Sequence, residues 1–582
     1  MLLSSMDAAR YVVDALERAG VRHVVVAPGS RSAPLVYALA EAVADGRLTA
    51  HVRIDERVAG FTALGLALGS GTPVAVLTTS GTAVGNLMPA VMEANHSGTP
   101  LVVLSADRPE ELRGTGANQT TVQLDIFGEQ VRFATDVPAG IDPSSAIATA
   151  LSAAQGRLDG IPAGPAQVNL AFRDPLTPAL DGSEWERLLP VVEPAGIPGT
   201  TVVEPVEIPG STEAEPAMPR PSASHRTVVV AGHGAGPAAE YFARMLGLPL
   251  LAEPSSNARF GPNAVGPYRL LLDRFGSGTA LPIERVVVFG RPTLSRPVAQ
   301  LLATTAVERA LYVPRPVAWF DSGRRAELVL TQWDQLVGFA GFGPHGWLEA
   351  WQEAGQLAES ALDAALEAHT SPGLMSGPAV ARTVWEAAQS DSGSNLVLGS
   401  SNPVRDVDLA GRPVVGELTG AGHAPGATVF ANRGLAGIDG TISTATGIAL
   451  ATGAPTRILL GDITFLHDSG ALLQGSSEQV AELQVIVLND SGGGIFSVLE
   501  HGALAAVPGY ADAVERFFGT PHTVDIGALA TAFGWRHTLV RSTAELTTAL
   551  APPVEGRSII EVSATREGLR ELHAQIREAL AR

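Results

Sequence analysis

The residues best placed to do chemistry stand in two short runs toward the end of the sequence. Gly461-Asp462 follows the apolar run 458–460, and Asn489-Asp490 follows the apolar run 485–488. The two aspartates are 28 positions apart. A carboxylate ending one strand and an Asn-Asp pair ending its neighbour can converge on one cation. Hard divalent ions such as Mg2+ take oxygen ligands and often complete an octahedral shell with the phosphates of a bound molecule. Gly492, Gly493 and Gly494 would let the backbone come close and offer a carbonyl oxygen. A helix starting at Asp462 would turn its N-terminus toward a diphosphate. The competing reading is that both pairs are turn residues after strands, where Gly, Asn and Asp are common.

Composition narrows the chemistry further. There is no Cys, which removes disulfides, thiolate nucleophiles and Cys-ligated zinc. There is also no Lys, so all 39 basic residues are Arg. Schiff-base chemistry, pyridoxal phosphate anchoring and a P-loop lysine are excluded with it. Anions must then be held by Arg, by backbone N–H groups or by metal, and the planar Arg fork suits carboxylates and phosphates. The net charge is −20, a poor match for nucleic acid or anionic lipid. The N-terminal run MLLSSMDAARYVV lacks a basic region ahead of an apolar one, and no stretch offers about 18 apolar residues. The expectation is a cytoplasmic protein with no membrane span.

The elements that must position these residues follow from length and patterning. At roughly 100–200 residues per domain, 582 residues make about three or four domains. In the first unit, HVVVAP (23–28), PVAVLTTSGTA (73–83) and PLVVLSADRP (100–109) read as buried strands running into polar loops. A helical stretch, 84–98, separates the last two. Strand, loop, helix, strand is the pattern of a parallel α/β sheet, with ligands at the carboxyl ends of its strands. The Pro/Glu-rich run 189-225 reads as a linker or surface excursion. RTVVVAGHGAG and RVVVFGRP mark a second α/β unit over 226-345, and a connecting helix is expected in 346-376. LVLGSSNPVRD, RILLGDITFLHD and LQVIVLNDSGGGIF make a third over 377-582. The first unit is expected to span 1-188. Whether the first and third units share a structure is open at this stage.

Gly-Asp-x, a gap of 25–30 residues and a closing Asn pair resembles the cofactor motif of the thiamin-diphosphate enzymes. The resemblance implies three parallel-sheet α/β domains: pyrimidine-binding, central and diphosphate-binding. It implies thiamin diphosphate with Mg2+ or Mn2+, held by Asp462, Asp490 and the Gly492 carbonyl. Gly461, Ile463, Thr464 and Ile495 would touch the cofactor. Ile463 and Asp490 depart from the common Gly and second Asn of the motif, and Asp490 remains an oxygen ligand. The family also needs one glutamic acid to protonate the aminopyrimidine, supplied by a neighbouring subunit. RIDERVAGFTALGLALGSG offers Glu56, where an apolar strand is expected to give way to an apolar helix, with Asp55 free to cap that helix.

The strings PGSRS, SGTAVGNLMPAV, ADRPEELRGTGANQT, SSNPVRD and NRGLAGIDG are similar to one branch of that family, found in menaquinone biosynthesis. Its members join 2-oxoglutarate to isochorismate by decarboxylation and 1,4-addition. Both substrates carry two carboxylates, which suits an all-Arg chain. The resemblance nominates Ser30, Arg31, Arg108, Asn118, Gln119, Arg296, Arg405 and Arg433 for substrate binding, with Gln119, Arg405 and Arg433 close to the chemistry. Ser401 would face the cofactor or the substrate, Ile438 would sit against the cofactor, and Ile495, Phe496 and Leu499 would form an apolar wall. Because Glu56 and the metal motif would come from different subunits, a homodimer or a dimer of dimers is expected. His467 and His501 read as bystanders. Other thiamin enzymes, such as a 2-oxoacid decarboxylase, share the metal motif but not these strings. A catalytically silent α/β scaffold is the reading from outside the enzymes.

Overall fold

The computed structural model describes residues 2–179, 223–369, 375–416 and 424–581. The run 189-225 falls almost wholly outside them. The first sheet contains β1 (His23–Val26), β2 (Thr49–Val52), β3 (Val74–Thr78), β4 (Leu101–Asp107), β5 (Ala134–Val137) and β6 (Ala166–Ala171). Its order is β2-β1-β3-β4-β6-β5, with neighbouring strands parallel. The middle sheet contains β7 (Thr227–Ala231), β8 (Leu250–Ala252), β9 (Arg285–Phe289), β10 (Glu308–Tyr312) and β11 (Leu328–Leu330), in the order β11-β10-β9-β7-β8. The third contains β12 (Asn395–Leu398), β13 (Thr428–Phe430), β14 (Thr456–Gly461), β15 (Leu483–Asn489), β16 (Arg536–Val540) and β17 (Arg557–Ser563). Its order is β13-β12-β14-β15-β17-β16. Counted from its own first strand, the third sheet repeats the order of the first. The two outer units therefore share one topology.

Parallel strands covered by helices on both faces are buried on both faces, which is why the strand runs are continuously apolar. All seven residues of β4 are buried. The helix expected over 84–98 is broken in two, Thr82–Gly85 and Met88–Ser97. Pro89 sits in the first turn of the second piece, where its missing N–H leaves no bond unmade.

The long helix Trp347–Ala368 joins the middle and third units. Its first half buries Trp347 and Trp351 in the middle core, where Trp351 stacks on Phe275 at 4.0 Å. Its second half packs Leu362 and Leu366 against Leu409, Leu572 and Ile576.

The first and third sheets share one core through two crossing helices, Glu56–Ser70 and Thr441–Thr452. Both helices are buried almost all round, so neither needs a polar face. Their backbones touch at small residues. A side chain on Gly65 would run into the Thr444 carbonyl, and one on Gly447 into the Thr62 carbonyl.

Candidate active site

Every strand end that carries a nominated residue points the same way within its sheet, because the strands are parallel. In the first unit, Ser30 and Arg31 follow β1, Glu56 follows β2 and Arg108 follows β4. In the third, Ser401 and Arg405 follow β12, Arg433 and Ile438 follow β13, Asp462 follows β14 and Asp490 follows β15. The site residues thus form two rims, one on each of two sheets of equal topology.

On the third rim, Asp462 opens the helix Asp462–His467 and is 1% exposed. Its Oδ1 accepts from the Ile463 N–H at 2.6 Å and its Oδ2 from the Gly492 N–H at 2.8 Å. The Gly492 backbone therefore lies against Asp462, with its N–H rather than its carbonyl turned to that carboxylate. Burial raises the Asp462 carboxyl, although these two N–H groups and His522 pull it down. Asp490 is pushed up to about 7 by burial and then by the charge of Asp462. Asp490 Oδ2 occupies space that any side chain on Gly494 would fill. Thr464 is buried inside the short helix, and Gly461 and Ile463 flank it.

A buried carboxylate that raises its half-buried neighbour, beside a backbone loop and a helix N-terminus, fits a hard divalent ion bound to a diphosphate. Among the described residues no three His, Cys, Asp or Glu side chains are arranged to hold a metal unaided. A metal held here would need further ligands, which the Gly492 backbone and a bound anion could supply. His522, whose Nε2 stands 3.1 Å from Asp462 Oδ2, went unnoticed in the sequence. It lies 60 positions from Asp462 in a loop that carries no motif.

The Arg residues of this rim crowd one another. Burial lowers the proton affinity of Arg405, as do the neighbouring charges of Arg269 and Arg296. Burial does the same to Arg433, with Arg405 adding to it. Acidic neighbours, Glu253 and Glu93 for Arg433 and Asp406 and Asp408 for Arg405, offset part of this, and a pair of largely buried guanidinium groups suits an anionic ligand. Arg405 donates to the Ser401 carbonyl at 2.7 Å. Arg296 is 67% exposed and pairs with Glu500, which is also 67% exposed, so it ties the middle unit to the segment after the metal motif. On that segment Phe496 lies 5.3 Å from Phe518 and 5.8 Å from His501, ring to ring. Ile495 and Leu499 flank it, half-buried.

On the first rim, Arg108 donates to Ser80 Oγ and, at 3.1 Å, to the Gln119 carbonyl. Gln119 returns a bond to the Ser80 carbonyl at 2.7 Å. Burial and then Arg31 lower the proton affinity of Arg108, so the two guanidinium groups face one neighbourhood. Ser30 and Asn118 are exposed beside them. Gln119, Ser401, Ala436 and Ser491 have positive φ without being glycine. Such backbone strain collects where function over-determines a conformation, and all four fall in or beside the motif strings.

Glu56 is the first residue of its helix and is half-buried. Asp55 caps that helix, its Oδ1 accepting from Arg57 N at 2.8 Å and Val58 N at 3.3 Å. Glu56 is left free of capping and accepts from Asn86 Nδ2 at 3.3 Å. The strand before it is not the apolar one expected. β2 is a half-exposed edge strand with one buried position, His51. Among the described residues no hydrogen bond or ion pair joins Glu56 to Asp462 or Asp490 within one chain.

Three parallel sheets, two of them alike, with paired carboxylates at the carboxyl ends of adjacent strands, define a thiamin-diphosphate enzyme. The family described as "Thiamine pyrophosphate enzyme, N-terminal TPP binding domain" matches residues 6–127. The fold is similar to benzoylformate decarboxylase from Polynucleobacter necessarius, with a TM-score of 0.64 and 18% identity over 96% of this chain and 99% of that one. A protein of Paenarthrobacter aurescens (strain TC1) named 2-succinyl-5-enolpyruvyl-6-hydroxy-3-cyclohexene-1-carboxylate synthase is 60% identical over 100% of this chain and 97% of its own. One of Arthrobacter sp. (strain FB24) with the same name is 59% identical over 99% and 92%. The chain belongs to the 2-succinyl-5-enolpyruvyl-6-hydroxy-3-cyclohexene-1-carboxylate synthase family. No helix among the described residues is long and apolar enough to cross a membrane.

Proposed function

We propose that the chain decarboxylates 2-oxoglutarate and adds the remaining four-carbon unit 1,4 to isochorismate, as a cytoplasmic transferase of menaquinone biosynthesis. The observation that carries this reading is the 60% identity, end to end, to a relative of that name. Thiamin diphosphate, when bound, supplies a nucleophilic carbon and an electron sink for loss of CO2. The chain's own residues do the rest. Asp462, Asp490 and the Gly492 carbonyl hold Mg2+ or Mn2+, and Gly461, Ile463, Thr464, Ser401, Ile438 and Ile495 line the cofactor. Glu56 of a second copy keeps a proton on the aminopyrimidine nitrogen. A homodimer, or a dimer of dimers, is the active form this reading requires, with Glu56 of one copy serving the metal motif of the other.

Substrate binding falls to the Arg groups, which fix two dianions in one orientation and so remove much of the entropy of their meeting. Arg31 and Arg108, with Ser30, Asn118 and Gln119, serve from the first rim. Arg405 and Arg433, with Arg296 at the margin, serve from the third. Phe496 and Leu499 keep water from the reacting carbon. The test is an assay with thiamin diphosphate, Mg2+, 2-oxoglutarate and isochorismate. CO2 and adduct are expected in equal amounts. CO2 without adduct overturns the acceptor, and faster turnover of pyruvate than of 2-oxoglutarate overturns the donor.

A further inference from the structure

Arg433 is only 3% exposed, so its direction is set by what grips it rather than by solvent. Its Nη2 donates to Thr293 Oγ1 at 2.7 Å, while its Nε is buried with no partner among the described residues. The backbone just beyond it is held from another unit. Glu93, on the helix Met88–Ser97 of the first unit, is 5% exposed. Its Oε1 accepts from the Gly434 N–H at 2.6 Å and its Oε2 from the Leu435 N–H at 2.7 Å. Arg291 Nη1 donates to the Gly434 carbonyl at 2.7 Å, so that residue is held on both sides. A side chain at Gly434 would stand 2.6 Å from the Glu93 carbonyl oxygen and 2.9 Å from its carboxylate. Two successive N–H groups on one carboxylate form a nest, and both bonds are charge-assisted.

We propose that Glu93 is a positioning residue for substrate recognition: by gripping Gly434 and Leu435 it fixes the direction in which Arg433 presents its guanidinium to a substrate carboxylate. The inference rests on the reading of Arg433 as a substrate-binding group. Glu93 itself touches no substrate. A plain staple between units would hold the fold and leave recognition alone, so the test must separate the two. Glu93→Gln keeps the shape but turns an NH2 toward one of the two N–H groups.

The experiment uses the enzyme loaded with thiamin diphosphate and Mg2+, comparing Glu93→Gln, Arg433→Met and the double variant. Hydrogen–deuterium exchange is expected to quicken in the peptide spanning 431–437 and not elsewhere. KM for one of the two substrates should rise about tenfold, with kcat and cofactor affinity changed less than about twofold. The double variant should be no worse than Arg433→Met, because the two residues act as one unit. Gly434→Ala, whose methyl group would push the same loop off Glu93, should reproduce the KM change if Glu93→Gln does not fold. Unchanged exchange, an unchanged KM, or effects that multiply in the double variant would each overturn the proposal. Unchanged KM values in Arg433→Met would instead remove its premise, and the exchange result would still report whether Glu93 holds the loop.

Discussion

Asp490 and Asp462 stand close enough that burial and mutual repulsion together lift Asp490 to about 7. An oxygen at position 490 matters more to a hard cation than the charge on it. Asp490→Asn keeps an oxygen and should weaken Mg2+ uptake about tenfold without abolishing it, measured by calorimetry in the presence of thiamin diphosphate. Glu56→Gln is expected to cut turnover on the order of 100- to 10,000-fold while the coenzyme still binds, which separates a proton donor from a structural cap. Unchanged activity in that variant would remove Glu56 as the proton donor. The meeting of Asp462 and Asp490 at adjacent strand ends was legible because each acid stands just past an unbroken apolar run. Asp55 and Glu56 could be told apart because one acid suffices to cap a helix. Glu93 and His522 were not legible. Each meets its partner across the fold, 341 positions away for Glu93 and 60 for His522, from a place that reads as ordinary helix or loop.

At the scale of elements, the crossing of Glu56–Ser70 with Thr441–Thr452 leaves no room for a methyl group. Gly65→Ala should therefore lower stability by about 1–3 kcal/mol through overpacking, read as a fall in Tm. The edge strand β2 carries a second, pH-dependent liability. His51 is 2% exposed and its pKa is lowered to about 3, first by burial and then by the charges of His23 and Arg53. The folded chain keeps it neutral, whereas the unfolded chain takes up a proton below about 6.5. Stability from this group is complete above 6.5 and falls as the pH drops from there toward 3, by roughly 1.4 kcal/mol per unit. Tm should fall between pH 7 and pH 5, and His51→Asn should flatten that slope. The parallel strands were legible as unbroken apolar runs, whereas β2 was not. An edge strand is defined by its place in the sheet order, which no local pattern carries.

For the whole molecule, the decisive question is how the two rims meet. If Glu56 and Asp462 serve one site from different copies, two dead variants can rescue each other. Mixing Glu56→Gln with Asp462→Ala at equal amounts and allowing subunits to exchange should restore about a quarter of full activity, because half the dimers carry one intact site. No recovery would place both residues in the same chain's site. The three-unit division was legible from the alternation of strands and helices. The equal topology of the outer units was not, because strand order leaves no trace in short strings.

Two backbones pressed together at Gly65 and Gly447 have a mechanical consequence. With no side chain between them to repack, the outer units cannot slide past each other and must turn as one body. Breathing that admits two dianions then has to come from lighter parts. The stretch over 493–520 is a candidate for such a part, joined to the middle unit by the solvent-facing Arg296–Glu500 pair. A clasp of two wet charges loosens with added salt, so KM should depend on ionic strength more steeply in the parent chain than in Glu500→Gln.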